Sequence, residues 1–285
     1  MAQKIAIASG KGGTGKTTVS VNLYWHLARQ SKVLLVDCDV EEPNDQLFIK
    51  GTETKSTEAL QMVPFIDSGA CSYCGRCSNY CEYGAITVLQ TKQKVLVDQD
   101  LCHACGACMV ACRKQAVHEQ HVAIGSIRHF DTDSGLGLVE GRLNVGSSKQ
   151  TLLIGQLKQR VGQPADIVLF DAPPGTNCSV VQTIHDMDYV VLVTEPTPLG
   201  LYDMTLMVEL LREMDVPFGC IVNKAGIGTN DVYAYLEKEG IDLLGTLPFH
   251  SGYAKAYATG TVTVSAFPDI EAEYASIAER ILSLG

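Results

Sequence analysis

The stretch Lys4-Ile-Ala-Ile-Ala-Ser-Gly-Lys-Gly-Gly-Thr-Gly-Lys-Thr-Thr18 reads as a short apolar strand, a glycine-rich loop and the start of a helix. It satisfies G-x-x-x-x-G-K-S/T with Gly10, Gly15, Lys16 and Thr17, the spacing of a phosphate-binding P-loop. Glycines suit this loop because the backbone N–H groups running through Gly12, Gly13, Thr14 and on to Thr18 must converge on phosphate oxygens without side chains intervening. Lys16 is expected to reach the β- and γ-phosphates of a nucleotide, and the Thr17 hydroxyl to bind Mg²⁺. A helix opening at Lys16 adds its positive dipole end.

Lys11, a second lysine just inside the loop, narrows the reading. The run GKGGTGKTT at residues 10–18 resembles the deviant Walker A loop of the MinD/ParA/Mrp and nitrogenase iron-protein superfamily. The resemblance implies ATP and ADP as ligands, a nucleotide-sandwich homodimer, and Lys11 reaching across the interface to the partner's nucleotide. The alternative for Lys11 is a solvated lysine in a polar loop.

Downstream, Lys32-Val-Leu-Leu-Val-Asp-Cys-Asp39 is a buried parallel strand ending in two carboxylates. Strands of this type deliver ligands at their carboxyl edge, where the P-loop also emerges. The resemblance assigns Asp39 to orienting, or taking a proton from, the attacking water and Asp37 to the Mg²⁺ shell. Phosphoryl transfer asks mainly for positioning and charge neutralisation, which carboxylates there can supply. The segment Val40–Asp45 looks like switch I.

Asp166-Ile-Val-Leu-Phe-Asp171 is a further buried strand, running into Ala-Pro-Pro-Gly-Thr176. By the same resemblance it is Walker B and switch II, with Asp171 holding Mg²⁺ through water and Gly175 near the γ-phosphate. Asn223, at another strand end, takes the position that contacts adenine in relatives, with Pro248 near the base; alternatively Asn223 only caps a turn. Cys178 parallels a cysteine that ligates a bridging cluster in the nitrogenase iron protein. A buried or thiol-switch cysteine is the other reading.

Between Val63 and Val122 the α/β pattern breaks. Cysteines fall as Cys71-x2-Cys74-x2-Cys77-x3-Cys81 and again as Cys102-x2-Cys105-x2-Cys108-x3-Cys112, an offset of 31 residues. This resembles a bacterial two-cluster ferredoxin, in which the fourth cysteine of each run ligates the other cluster. The resemblance therefore implies one 4Fe–4S cluster on Cys71, Cys74, Cys77 and Cys112, and a second on Cys102, Cys105, Cys108 and Cys81. Glu82 and Arg113 stand where the ferredoxin pattern has proline. His103, His118, His121 and His129 read as solvated loop residues, since thiolates fill all the ligand positions.

The expected organisation is a doubly wound, mainly parallel α/β sheet over 1–62 and 123–285, with a small α+β ferredoxin-like domain at 63–122 inserted after the second strand. Within it, Lys149–Val161 fits a helix ended by Gly162 and Pro164, Ile124–Ser148 reads as a hairpin, and Trp25 as ordinary core. A chain of 285 residues, 46% hydrophobic and 19% charged, can bury such a core. Its formal charge of −10, with no Lys/Arg-rich stripe, argues against nucleic acid as a partner. Without an 18-residue apolar run or a signal-peptide pattern, it is expected to be cytoplasmic and not inserted in a membrane.

Three functions fit these parts: ATP-gated electron transfer to a redox partner, assembly or carriage of metalloclusters for a receiving protein, and a positioning ATPase with the clusters as redox sensors. The first is favoured, because eight thiolates arranged for two clusters make an electron wire.

Overall fold

The computed structural model describes residues 2–133, 135–161 and 164–284. Gly162, the expected helix stop, lies outside the described residues. Among the described residues nine strands form one sheet in the order β11-β10-β9-β1-β8-β2-β7-β6-β3. In chain order these are β1 (Gln3–Ala8), β2 (Val33–Asp37), β3 (Thr52–Ile66), β6 (Val117–Asp131), β7 (Leu138–Leu143), β8 (Ile167–Asp171), β9 (Tyr189–Thr194), β10 (Phe218–Ala225) and β11 (Leu243–Pro248). β4 (Ile86–Leu89) and β5 (Lys94–Val97) make a separate two-stranded hairpin.

The strands from β11 to β7 are all parallel, and only β6 and β3 join antiparallel at the edge. Alternation within the central strands fills two cores. Ala6, Leu34, Val168 and Val190 face one side, and Ile5, Val33, Ile167 and Tyr189 the other. Burial on both faces is why these strands read as unbroken apolar runs.

The first core packs under α4 (Gln150–Gln159), α5 (Cys178–Ile184), α6 (Pro198–Glu213) and α7 (Asp231–Glu239). The second packs under α1 (Lys16–Leu27), α9 (Thr263–Ala266) and α10 (Pro268–Leu284), with α8 (Ser251–Ala258) close by. α10 buries Ile270, Tyr274, Ile277 and Ile281, a core-facing stripe at helical spacing. No helix among the described residues is long and apolar enough to cross a membrane.

Several expectations are corrected. The boundaries at 62/63 and 122/123 fall inside β3 and β6, which pair from Thr52↔Asp131 to Ile66↔Val117 with register shifts after Glu53 and Ala59. The hairpin expected over Ile124–Ser148 is there, β6 pairing antiparallel with β7, and β7 also pairs in parallel with β2 and so belongs to the main sheet. Trp25 is only partly buried, with the Arg29 guanidinium 4.9 Å above its ring. His118, His121 and His129 lie on β6 rather than in loops; His129 is half-buried, and burial followed by Lys55 holds its pKa low.

β3 and β6 form a two-stranded arm. β6 leaves β7 beyond Gly125, so its outer half and that of β3 run past the sheet to carry residues 67–116. Those residues contain α2 (Arg76–Asn79), β4, β5 and α3 (Ala107–Ala111). The backbone repeats at the offset of the cysteines. Tyr73 and Ala104 both have φ 54°, Gly75 and Gly106 have φ 80° and 75°, and Gly84 and Gln115 have φ 64° and 51°.

Candidate functional site

β1, β2 and β8 end side by side, with Ile7 and Asp37 both in register with Asp171. The loop from Ser9 leads over this edge into α1. Gly15 must be glycine there, because it has φ +94° and a Cβ would sit 2.1 Å from Asn223 Nδ2. Gly10 is held equally tightly, since a Cβ would lie 2.1 Å from the Asp203 carbonyl oxygen on α6.

A cavity of about 350 Å³ opens above the loop. Lys11 to Thr18 line it with Asp39, Asn223, Pro248, Tyr253 and Tyr257. Three donors from α1 converge on the buried Asp171: Lys16 Nζ at 3.1 Å and Ser20 Oγ at 2.9 Å on Oδ1, and Thr17 Oγ1 at 2.8 Å on Oδ2. Ser20, one helical turn beyond Lys16, was not legible as a site residue. Burial acts to lower the Lys16 pKa, but Asp171, Asp39 and Asp37 outweigh it and hold the ammonium above its ordinary value.

Asp37 is buried and holds the backbone that follows its strand. Its Oδ1 accepts from the Asp39 backbone N–H at 3.0 Å, and its Oδ2 from those of Asn44 at 2.9 Å and Asp45 at 3.1 Å. The carboxylate thus ties residues 39–45 to the end of β2. Burial, then the neighbouring Asp171, pushes the Asp37 carboxyl up to about 8. Asp39 is less enclosed and faces the cavity, its pKa raised by burial against the pull of Lys16. Asp45 is wholly buried, and neither carboxylate oxygen has a hydrogen-bond partner.

Lys11 does not project freely. Its Nζ donates to Glu195 Oε1 at 2.7 Å, while Lys224 Nζ donates to Glu195 Oε2 at 2.8 Å and to the Gly13 carbonyl at 2.7 Å. Burial pushes Glu195 up, but the hydrogen bonds from Lys11 and Lys224 win and hold it below its usual value. Glu195 follows β9 in no motif, so nothing local marks it. Asn223 Nδ2 donates to the Thr14 carbonyl at 2.7 Å, and the Gly175 N–H to the Ser9 carbonyl at 3.0 Å, so both brace the loop.

Among the described residues no three His, Cys, Asp or Glu side chains converge closely enough for one metal ion. Mg²⁺ does not require such a cage, because it keeps several waters and is usually held through one or two carboxylates and substrate phosphates. Asp171, Asp39 and the Thr17 hydroxyl are the oxygens that suit it here.

The cysteines outside the main body collect around two cavities. Cys71, Cys74, Cys77 and Cys112 line the first, of about 240 Å³. Cys81, Cys102, Cys105 and Cys108 line the second, which is narrower at about 20 Å³, with Cys102 and Cys108 buried. All eleven cysteines are free thiols. Backbone N–H groups already point at three sulfurs: Tyr73 to Cys71 Sγ at 3.4 Å, Ala104 to Cys102 Sγ at 3.5 Å, and Ala116 to Cys112 Sγ at 3.3 Å. His103 is not free in solvent but stacks on Tyr83, ring centroids 3.8 Å apart.

Cys178 opens α5 and is exposed, whereas Cys38 and Cys220 are fully buried with thiols pushed up by burial. Neither buried thiol is available to share a ligand with Cys178.

The two sites are joined through the first turn of α4. Lys149 Nζ donates to the carbonyls of Asp100 at 2.6 Å and Cys102 at 2.9 Å, and Gln61 Nε2 reaches the same Cys102 carbonyl at 2.6 Å. The adjacent Gln150 Nε2 donates to Glu41 Oε1 at 3.0 Å, in the segment that Asp37 ties down.

Residues 5–264 match the family model of the CobQ/CobB/MinD/ParA nucleotide binding domain. The uncharacterised protein MJ0579 of Methanocaldococcus jannaschii is 32% identical over 226 residues, 78% of this chain and 80% of that protein. An iron-sulfur cluster carrier protein of Pyrococcus abyssi is 26% identical over 98% of this chain and 85% of its own length. In fold, the chain is similar to the septum site-determining protein MinD of Pyrococcus horikoshii, solved with Mg-ADP, at a TM-score of 0.63 and 19% identity over 99% of this chain and 96% of that one.

Proposed function

This chain belongs to the CobQ/CobB/MinD/ParA nucleotide-binding family, and on that premise we propose that it is an ATPase whose nucleotide state is coupled to electron transfer through two 4Fe–4S clusters in an inserted ferredoxin-like unit. The observation that carries the reading is the α4 turn, where Lys149 holds the Cys102 loop and Gln150 holds Glu41 of the switch I segment. Adjacent residues gripping two sites give free energy a route between them.

At the nucleotide, Lys16 neutralises charge on the β- and γ-phosphates, and Thr17, Asp171 and Asp39 serve Mg²⁺ and the attacking water. Asp37 keeps residues 39–45 in position to do so. Asn223 spends one N–H of its Nδ2 on the Thr14 carbonyl and keeps the other N–H and its Oδ1 for the edge of a base.

The cysteine sets fit clusters by donor chemistry. A 4Fe–4S cluster takes one thiolate per iron, so its ligands surround a volume rather than converge on a point. The first cavity offers that volume as well; for the second, the support is the mirrored backbone and the same donor set. When bound, such clusters supply one-electron chemistry.

The test is an EPR-monitored redox titration of anaerobically purified protein, with ADP and again with a non-hydrolysable ATP analogue. A shift of about 30 mV or more is expected, roughly threefold for a one-electron step. Identical potentials in both states would remove the coupling.

The homodimer follows from Lys11. In the single chain Glu195 holds this lysine, so ATP-driven closure has to exchange that bond for the partner's phosphate. Lys11→Ala is expected to leave ADP affinity unchanged and to weaken ATP-dependent dimerisation by about tenfold or more, ~1.4 kcal/mol. Sedimentation velocity reads this directly, and undiminished dimerisation would rule out the trans role.

A second reading, carriage of a cluster to an acceptor protein, draws on the relatives named as iron-sulfur cluster carrier proteins and on the exposure of Cys74 and Cys105.

A further inference from the structure

Two cysteine sites built on a repeated backbone form an internal comparison whose side chains differ. Tyr73 and Ala104, Gly75 and Gly106, and Gly84 and Gln115 occupy matching conformations 31 residues apart. At the same offset, Arg76 is replaced by Ala107, Arg113 by Glu82 and Lys114 by Tyr83. Arg76, Arg113 and Lys114 all line the cavity of Cys71, Cys74, Cys77 and Cys112. The mirror cavity has Met62, Pro64, Tyr83, Ile86 and His103 around its cysteines and no lysine or arginine in its lining; Lys149 stands behind it, its Nζ committed to the carbonyls of Asp100 and Cys102.

The cations are not spent elsewhere. Among the described residues none of the three has a carboxylate within ion-pair distance. Arg76 Nε is moreover buried with no hydrogen-bond partner, although a buried charged donor is costly unless an acceptor meets it. Backbone N–H groups point at sulfurs of both sets, those of Tyr73 and Ala116 at Cys71 and Cys112 of the first and that of Ala104 at Cys102 of the second, and the Arg76 N–H further lowers the pKa of Cys74 in the first. The first set contains no buried cysteine, whereas Cys102 and Cys108 of the second are each 8% exposed.

Net charge, hydrogen bonds to sulfur and solvent exposure are the levers that set the potential of a thiolate-held cluster. Each favours the added electron at the first site. We infer that Arg76, Arg113 and Lys114 make the two sites electronically unequal, so that one electron from a one-electron reductant settles at the Cys71–Cys74–Cys77–Cys112 site. The reductant loses that electron, and the mirror site takes a second one only at lower potential. The inference rests on the proposal that both sets hold 4Fe–4S clusters and adds the order in which they fill.

The experiment is an anaerobic EPR-monitored titration of the full chain with dithionite, with iron and sulfide measured in every sample. Wild-type protein with about eight irons per chain is expected to reduce in two steps separated by at least tenfold, about 59 mV for one electron. Arg113→Gln combined with Lys114→Gln should lower the upper step and leave the lower one in place. Tyr83→Lys, which puts a cation at the mirror position, should raise the lower step and narrow the gap; it also covers the case in which the double variant fails to hold iron. A single unresolved step in the full-iron protein, or a double variant that moves the lower step, overturns the inference while leaving the clusters in place. Protein lacking 4Fe–4S signals altogether overturns the underlying proposal, and the inference with it.

Discussion

Lys16→Ala is expected to lower ATP hydrolysis by about 10²–10³-fold, the scale of removing one preorganised charge from a transition state, while iron content stays at the wild-type level. The lysine is buried and sits 3.1 Å from Asp171 Oδ1. The variant leaves Asp37, Asp39 and Asp171 without their shared cation, and breaking a buried pair costs roughly 3–5 kcal/mol. The low end applies here, because Asp171 keeps its bonds from Thr17 and Ser20. Saturating Mg²⁺ should recover part of that loss, so thermal midpoints with and without Mg²⁺ accompany the rate assay. Hydrolysis within a few-fold of wild type would take Lys16 out of the reaction. Loss of iron together with hydrolysis would show that the two sites are not separable.

The second large effect concerns cross-ligation. Cys112 is distant in sequence from Cys71, Cys74 and Cys77 yet lines the same cavity. Cys112→Ala combined with Cys74→Ala should therefore cost only one cluster, about half of the iron. Cys112→Ala combined with Cys105→Ala should cost both. Contacting sites couple, and independent ones add. If the first pair empties the protein and the second removes half, each run holds its own cluster and the crossed assignment fails. Iron analysis of the purified variants decides between them.

Much of this was legible in the chain because its signals are local. The P-loop is read within residues 10–17, and the two cysteine runs within a dozen residues each. Glu195 was invisible, because its importance comes from Lys11 and Lys224 arriving from elsewhere in the chain. Asn223 was placed at the nucleotide, but its grip on Thr14 depends on Gly15 leaving room for an amide. β3 escaped because an edge strand solvated over Thr52–Ser56 shows no apolar alternation until Ala59. α8, eight residues starting Ser-Gly, has too little periodicity to be seen alone. The same blindness put the domain boundaries inside β3 and β6: a break in pattern marks where burial changes, not where the backbone ends an element.

The two-stranded arm has a mechanical consequence. From Val117 to Ile124, eight residues of β6 run beyond β7, an overhang of about 26 Å at the rise of an extended strand. Its root lies where β6 pairs with β7, and Gln156 on α4 grips Leu60 through both its backbone N–H and its carbonyl. A rotation of about 10° at the root sweeps the tip through roughly 4–5 Å over that length. Under the proposed coupling, a lever of this reach would turn a small displacement at the nucleotide into a larger one at the cysteine sites, in a ratio set by strand length.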